Sequence, residues 1–416
     1  MFTKAAVGCL LAGSVVSIAA CGSSSSSKSS GGGGKTVDIY SSLPLQGASS
    51  AQTTPMVNGI KLALEQAGNK AGKFTVNYQS LDDSTAQAGK WDPGQVAADA
   101  RKAAQDSSAV FYIGEFNSGA SAISIPILNQ ATLPQLSPAN TAVGLTTGDP
   151  GHTPGEPTKY YPGGKRTYVR IVPRDTIQGA ALLTTMKSDG CSKVAIANDK
   201  EVYGQGLATV MGLQKTKFGL TITSNTGIDP TAPNFRSYAQ TIKAQGADCF
   251  VFSGIVSNGA VQLTKDVAAA LPTAKVYGPD GVCTGSYTNP AKHGISADID
   301  PRVKCTVATL NLTSYPGGKA FLAAYNTKYG GTSPDPYAIY GYEAMKVGLD
   351  TIAAAGAKGN DKSAVLAALF ATKSRNSVLG NYGFDANGDT TLKSYGVYKV
   401  GPDGNPVFLN AVTPSN

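Results

Sequence analysis

Two short segments of the chain end in small hydroxyl and amide side chains directly after apolar strands. The first strand, residues 109–113, is followed by a polar turn that leads to Ser118, which stands where a helix N-cap belongs. The second, residues 134–136, runs into the segment 137–141, Ser-Pro-Ala-Asn-Thr. Ligands bind at the carboxyl ends of strands in open α/β sheets, and helix N-termini there present free N–H groups to an anion. We therefore interpret residues 109–142 as half of a binding cleft for a small carboxylate.

Patterns for catalysis or metal binding are sparse. His152 and His293 are the two histidines, and neither stands beside a candidate nucleophile. The chain contains neither G-x-S-x-G nor H-E-x-x-H, so an anchored hydrolase is disfavoured and we expect no enzymatic activity. Residues 385–396 resemble a calcium loop but carry Thr390 at its sixth position and Gly396 at its twelfth, which favours a plain turn. We expect neither a metal nor a cofactor.

Composition and periodicity indicate a globular α/β body. Hydrophobic residues make up 41% of the chain and charged residues 15%, which is too apolar for a disordered protein. The net charge of +8 comes from scattered basic residues, so we expect no nucleic-acid partner. Apolar strands alternate with helices, whose start signals include Thr54-Pro55 and Asp92-Pro93. Because the body is too long for one core, we predict two lobes, each a doubly wound parallel sheet flanked by helices.

The first 35 residues are predicted to contain an export signal followed by a flexible tether. Residues 1–20 have the basic start, short apolar run and small final residues of a secretory signal. Together with Cys21 they resemble a bacterial lipobox, in which that cysteine is lipidated; the alternative is an ordinary signal peptide with an incidental cysteine. Residues 21–35 are almost entirely Ser and Gly, a flexible tether. We expect an exported protein that is lipid-anchored to the cell membrane and faces outside or the periplasm.

Four cysteines remain in the body: Cys191, Cys249, Cys283 and Cys305. An even number in an exported protein suggests disulfides, and four cysteines allow three pairings. Cys191 and Cys249 each precede an apolar run, and neighbouring parallel strands would bring them together, which would leave Cys283 to pair with Cys305. A zinc site is the disfavoured alternative, because no C-x-x-C is present.

A series of short motifs runs along the body in a specific order. It comprises Leu81-Asp82-Asp83, Ile113-Gly114 with Asn117-Ser118, Ser137 to Thr141, Arg170 with Asp175, Tyr203-Gly204-Gln205-Gly206, Gly278-Pro279-Asp280-Gly281 and Phe384-Asp385. Each motif alone is weak, but their order and spacing resemble the type 1 solute-binding proteins of branched-chain amino acid ABC importers. The resemblance covers nearly the whole body.

The resemblance implies a two-lobe type 1 periplasmic-binding-protein fold with a three-strand hinge. Lobe 1 would take residues 36–174 and 311–390, and lobe 2 residues 175–310 and 391–416. The ligand would lie between the lobes and be captured by hinge closure.

The resemblance also implies roles for individual residues. Ser118 would meet the carboxylate of an amino acid, Ala139 and Thr141 would hold its carboxylate and ammonium, Tyr203 would line the cleft, and Asp280 would pair with the ammonium. Each residue has a structural alternative. Ser118 would be only a helix cap, Thr141 a satisfied loop hydroxyl, Asp280 a turn residue, and Tyr203 a packing residue at the hinge.

Two positions depart from the family pattern near the expected side-chain pocket. Ile255 replaces an aromatic residue, and Asn117 replaces a smaller, less polar one. The ligand-binding set is therefore predicted as Asn117, Ser118, Ala139, Thr141, Tyr203, Ile255 and Asp280, with the identity of the ligand's side chain left open.

The function that the resemblance implies is capture of a branched-chain or related amino acid and its delivery to an ABC permease and ATPase, by a monomeric protein. Alternatives are the same fold binding an amide, urea or an aromatic acid, or a sensory receptor. The segment 146–166, rich in Gly, Pro, Thr and Tyr, carries no signal for a role.

Overall fold

The computed structural model describes residues 35–331 and 333–414. The predicted signal segment, the predicted lipidation site Cys21 and all of the tether except Lys35 lie outside the described residues. Within those residues, no helix is both long and apolar enough to cross a membrane.

In this described part of the chain, seventeen strands belong to two large sheets and two small hairpins. In chain order they are β1 (Thr36–Leu43), β2 (Lys70–Ala71), β3 (Phe74–Asp82), β4 (Ser84–Thr85), β5 (Lys90–Trp91), β6 (Ala109–Ile113), β7 (Gln135–Ser137), β8 (Tyr168–Arg170), β9 (Lys193–Asn198), β10 (Thr221–Gly227), β11 (Cys249–Ser253), β12 (Lys275–Gly278), β13 (Val303–Val307), β14 (Arg375–Ser377), β15 (Gly380–Tyr382), β16 (Tyr395–Val400) and β17 (Pro406–Val412).

Residues 35–331 and 333–414 contain eleven α-helices, most of which pack against the two large sheets. They are α1 (Ser50–Gln66), α2 (Pro93–Gln105), α3 (Ser118–Gln130), α4 (Asp175–Ser188), α5 (Val202–Gln214), α6 (Arg236–Ala244), α7 (Val261–Ala270), α8 (Gly285–Thr288), α9 (Gly318–Tyr329), α10 (Tyr337–Ala354) and α11 (Lys362–Phe370).

The first sheet has the order β2-β3-β1-β6-β7-β8 and is parallel except at its β2 edge. Side chains of its central strands alternate between two helical layers, as the pleat requires. Ile39 and Phe111 pack in the core formed with α1 and α10, whereas Tyr40 and Tyr112 pack in the core formed with α2 and α3. All five residues of β6 are buried, because helices cover both faces.

The second sheet has the order β10-β9-β11-β12-β13-β16-β17. Its first five strands are parallel, and β16 and β17 extend it as an antiparallel edge. Phe250 and Phe252 of β11 face the layer of α6 and α7, whereas Val251 faces the layer of α4 and α5. The antiparallel edge departs from the purely parallel sheet that the strand-helix alternation predicts.

The chain passes between the two sheets three times: after β8, after β13 and before β16. Helices α10 and α1 pack together very closely, because a Cβ at Gly59 would lie 2.0 Å from the Ala338 carbonyl oxygen and one at Gly341 would lie 2.1 Å from that of Met56. After β13, α10 thereby brings the chain back against the first sheet, and the chain then passes to β16 of the second sheet. The residue limits predicted for the two lobes stay a prediction.

All four cysteines of the body form disulfide bonds in the second lobe. Cys191 is bonded to Cys249 and Cys283 to Cys305, one of the three possible sets of pairs. Cys249 opens β11, directly beside β9 in the sheet. Cys191, Asp248 and Cys249 form the one cluster of three potential metal ligands among the described residues, but its cysteines are bonded to each other.

Candidate ligand-binding site

Two loops at the carboxyl end of the first sheet lie side by side. Ser137, the last residue of β7, connects them through its hydroxyl group. Its Oγ donates to the Glu115 carbonyl oxygen at 2.7 Å and accepts from the amides of Ala139 at 3.2 Å and Asn140 at 2.9 Å. These residues are all buried. The segments after β6 and β7 therefore form one rigid corner of the first lobe.

The N-terminus of α3 forms the anion-binding part of this corner. The helix begins at Ser118 with Asn117 as its N-cap, so the interpretation of Ser118 as the N-cap is wrong. Ser118 Oγ instead accepts a hydrogen bond from the Ala142 amide at 3.3 Å. A hydroxyl group that accepts in this way keeps its own proton to donate. The amides of the first helical turn have no acceptor within the helix and carry partial positive charge, so this corner suits a carboxylate.

Arg170 holds the neighbouring loop in place. It is completely buried, and its Nε is 2.7 Å from Asp389 Oδ1. Its Nη1 donates to the carbonyl oxygens of Ala142 at 2.7 Å and Asn140 at 3.3 Å. Thr141 stands between these two anchored residues, so Arg170 positions Thr141 without taking part in the cavity itself.

Asp280 follows β12 and is the acidic group on the other side of the cleft. Its carboxylate accepts hydrogen bonds from Gln178 Nε2 at 2.8 Å, from the Tyr337 hydroxyl at 2.9 Å and from the Tyr203 hydroxyl. Burial raises the pKa of Asp280, while these three donors act in the opposite direction by stabilising the carboxylate. A carboxylate offers about four acceptor positions, so about one is left for a ligand.

Asp175 is a second buried carboxyl group close to the cleft. Its side-chain oxygens accept no hydrogen bond of normal geometry from any described residue. Burial raises the pKa of Asp175 to about 8; the Thr141 hydroxyl opposes this shift, and the negative charge of Asp280 adds to it. Asp175 is therefore largely protonated at neutral pH, whereas the three donors around Asp280 favour its carboxylate form.

A cavity lies between the two sheets where these groups meet. It is lined by Phe116, Asn117, Ser118, Ala139, Thr141, Tyr203, Ile255, Asp280 and Gly281. The structure thus brings together all seven residues that the sequence predicts around a ligand, and adds Phe116 and Gly281. Neither of these two carried a sequence signal beyond its place in a motif.

The cavity is small. Its volume is about 20 Å³, enough for about one water molecule, whereas ligand pockets commonly measure several hundred Å³. Larger cavities of about 490 and 630 Å³ lie elsewhere on the protein and include none of the seven predicted residues. An amino acid can therefore enter the central cavity, and fit there, only when the lobes move apart.

The mouth of the cleft is closed by contacts between β5 and the second lobe. Lys90 Nζ lies 2.7 Å from Glu201 Oε1 and donates to Asn258 Oδ1 at 2.8 Å. The indole N–H of Trp91 donates to Glu201 Oε2 at 3.2 Å. Asn258 also donates to Asp199 Oδ2 at 2.9 Å. We call Lys90, Trp91, Glu201 and Asn258 the mouth cluster, a set that no sequence motif indicated.

A buried carboxyl pair lies behind the cavity in the first lobe. Asp83 and Glu115 are both fully buried, and the side-chain oxygens of Asp83 accept no hydrogen bond of normal geometry from any described residue. Glu115 Oε1 accepts from the Tyr112 hydroxyl at 2.8 Å. Burial raises the pKa of Glu115 to about 8, and burial together with the charge of Glu115 raises the pKa of Asp83 as well. The sequence placed Asp83 in a motif but gave no sign of this pairing.

Comparison with known proteins identifies the family. The family described as periplasmic binding protein matches residues 37–405. The Leu/Ile/Val-binding protein BraC3 of Rhizobium johnstonii is 26% identical over 362 residues, which cover 86% of this chain and 89% of that protein.

Solved structures show the same fold. The leucine binding protein LivK of Thermotoga maritima has a TM-score of 0.75 at 22% identity, covering 91% of this chain and 99% of that one. A solute binding protein of an R. palustris ABC transporter, solved in complex with benzoate, has a TM-score of 0.72 at 19% identity, covering 91% and 97%. The predicted two-lobe fold is thereby confirmed, and the family match confirms the prediction of a binding protein rather than an enzyme. This chain belongs to the periplasmic binding protein family.

Proposed function

We propose that this protein is the substrate-binding protein of an ABC importer and captures a branched-chain or related amino acid in the cavity between its lobes. Hinge closure would bring Asp280 on one side and the Ser118 corner on the other onto one ligand. The closed protein would then deliver the ligand to a membrane permease driven by an ATPase.

One observation carries this proposal: a single cavity is lined by an anion-binding corner and by a buried carboxylate. The first turn of α3 and the hydroxyls of Ser118 and Thr141 suit a carboxylate, and Asp280 suits an ammonium. Both charges of a zwitterion would be compensated, while Phe116 and Ile255 supply apolar walls. Micromolar affinity requires about −8 kcal/mol, which a few charge-assisted hydrogen bonds plus desolvation on closure can supply.

The anchored, extracytoplasmic location is proposed from the sequence. Cys21 follows a signal segment and precedes a Ser/Gly tether, a pattern that supports a lipid anchor close to a permease. A folded body held at a membrane surface would release its ligand where the transporter can take it. Labelling with a radioactive fatty acid tests this part, since Cys21→Ser should abolish the label.

An aromatic acid is the second candidate ligand, because the R. palustris neighbour was solved with benzoate. A carboxylic acid without an ammonium would leave the Asp280 carboxylate without a cationic partner in a buried site, which is unfavourable. Amides and urea lack the carboxylate that the Ser118 corner suits. An amino acid, which carries both charges, is therefore the best fit to this site. This holds whether the ligand-bound protein delivers its ligand to a permease or signals to a sensory partner.

Thermal unfolding with a ligand panel tests the proposal. The panel contains aliphatic and polar amino acids, amides, urea and aromatic acids. A ligand present at a hundred times its dissociation constant should add about 2.7 kcal/mol to the free energy of unfolding. Stabilisation by amino acids supports the proposal. Stabilisation only by ligands without an ammonium would refute the amino acid assignment and keep the binding role.

A further inference from the structure

Asn117 occupies an N-cap position but does not cap its helix. Its backbone is extended, with φ −90° and ψ 136°, as an N-cap residue requires, yet its side chain accepts no hydrogen bond from the first turn of α3. Asp92 caps α2 through the amides of Gly94 and Gln95, and Asp361 caps α11 through that of Ala364. Asparagine is among the best capping residues, so the absence of a capping hydrogen bond at position 117 indicates that this side chain has a role other than capping α3.

The side-chain oxygen of Asn117 is buried without a partner. Asn117 is 7% exposed, and its Oδ1 accepts no hydrogen bond from any described residue. Among the nine residues that line the cavity, all of them described, Asn117 is the one with such an atom. A buried polar atom of this kind is unfavourable and rare in native proteins, and a missing ligand donor accounts for it.

The charged groups of an amino acid already have partners in the proposed site. Its carboxylate would meet Ser118 and the first turn of α3. The three N–H groups of its ammonium would take the free acceptor position of Asp280 and oxygen atoms of Ala139 and Thr141. The remaining group that can donate to Asn117 Oδ1 is on the ligand's side chain. The apolar walls Phe116 and Ile255 would flank that side chain.

We propose that Asn117 selects amino acids whose side chain carries a hydrogen-bond donor, a hydroxyl or a carboxamide, over aliphatic amino acids of the same shape. This inference rests on the proposed function and narrows its ligand class. In the absence of ligand, the unpartnered oxygen lowers the stability of the closed protein. With the ligand bound, the same oxygen gains its missing donor.

Isothermal titration calorimetry with matched ligand pairs tests the inference. Threonine and valine form one pair and asparagine and leucine the other, because each pair differs in polarity at similar size. The wild-type protein should bind the polar member of at least one pair about tenfold or more tightly. In Asn117→Leu, which keeps the size and removes the acceptor, this preference should fall by about the same factor.

Stability gives an independent readout of the same variant. Asn117→Leu should raise the melting temperature of the ligand-free protein, because it replaces an unpaired buried polar atom with apolar ones. A merely structural Asn117 would instead make the variant less stable. Asn77→Leu, at an exposed position of β3, is the matched control. It should alter neither the preference between threonine and valine nor that between asparagine and leucine.

The outcomes separate this inference from the proposed function. If wild-type protein binds valine and leucine as tightly as their polar partners, and Asn117→Leu leaves the ratios unchanged, the inference is overturned while the proposed function stands. If Asn117→Leu loses the same affinity for all amino acids, Asn117 Oδ1 accepts from the ligand's ammonium instead of its side chain, and the inference is likewise overturned. If no amino acid binds the wild-type protein, both the inference and the amino acid assignment are wrong.

Discussion

Replacing Asp280 by Asn should separate amino acids from acids that lack an ammonium. The substitution keeps the size of the side chain and removes its negative charge. Three of about four acceptor positions of Asp280 are taken by Tyr203, Gln178 and Tyr337, so about one hydrogen bond to the ligand is lost. A hydrogen bond to a charged group contributes about 1.5–3 kcal/mol, which corresponds to a loss of about 10- to 150-fold in affinity.

Isothermal titration calorimetry can measure this difference directly. The best amino acid from the ligand panel is compared with the matching carboxylic acid that lacks the amino group. Asp280→Asn should weaken the amino acid by the factor above and leave the acid unchanged or tighter, because a buried negative charge near its carboxylate is removed. Asp298→Asn, at an exposed position of the same lobe, is the matched control and should change neither affinity.

The stability of the variant must be measured as well, since Asp280 bonds to groups from both lobes. Tyrosine hydroxyls can accept as well as donate, so the new carboxamide in Asp280→Asn can be accommodated and the ligand-free variant should still unfold cooperatively. Equal loss of affinity for the amino acid and the acid, in a folded variant, would refute the assignment of Asp280 to the ammonium.

Three further predictions follow from the buried and bridging charges. Lys90→Ala removes the ion pair with Glu201 and should weaken ligand binding several-fold, and this loss of affinity should be smaller at high salt. Unchanged affinity would show that the mouth cluster does not contribute to closure of the lobes. Arg170→Ala leaves the Asp389 carboxylate buried without its partner and should lower the free energy of unfolding by about 3–5 kcal/mol in denaturant titrations, and a change below about 1 kcal/mol would contradict its anchoring role. The pKa of Glu115 is raised to about 8, so the folded protein keeps a proton that the unfolded chain loses above about pH 4.3. Stability should therefore fall from about pH 4.3 to 8 by up to about 1.4 kcal/mol per pH unit for this group, and Glu115→Gln should reduce the slope; an unchanged slope would show that Glu115 does not keep that proton.

The sequence predicts the alternation of strands and helices because apolar runs and start signals are local. Asp92-Pro93 marks the start of α2 correctly, and Asp92 caps that helix. Thr54-Pro55 misleads, because α1 begins at Ser50 and holds Pro55 inside. Tertiary contacts extend this helix: the hydroxyl of buried Thr53 donates to the Pro44 carbonyl oxygen at 2.5 Å. Local signals cannot report such contacts.

The cavity residues could be named from motifs, but their supporting partners could not. Gln178 and Tyr337 lie 102 and 57 positions from Asp280, and no local pattern relates them. Lys90 and Glu201 are 111 positions apart and meet only because two lobes close on each other. The sequence predicts a strand over residues 395–400, which is β16, but not the antiparallel direction of β16 and β17, since strand direction depends on where the chain returns to the sheet.

Trp91 offers the most direct test of capture by lobe closure. It is the only tryptophan of the chain, and its indole N–H contacts Glu201 across the mouth of the cleft. If the lobes part and close around an amino acid, titration with that ligand should produce a saturable change in tryptophan emission. Its midpoint should match the calorimetric dissociation constant and shift with Asp280→Asn. An amino acid that binds by calorimetry without changing the emission of Trp91 would contradict closure of this cleft on its ligand.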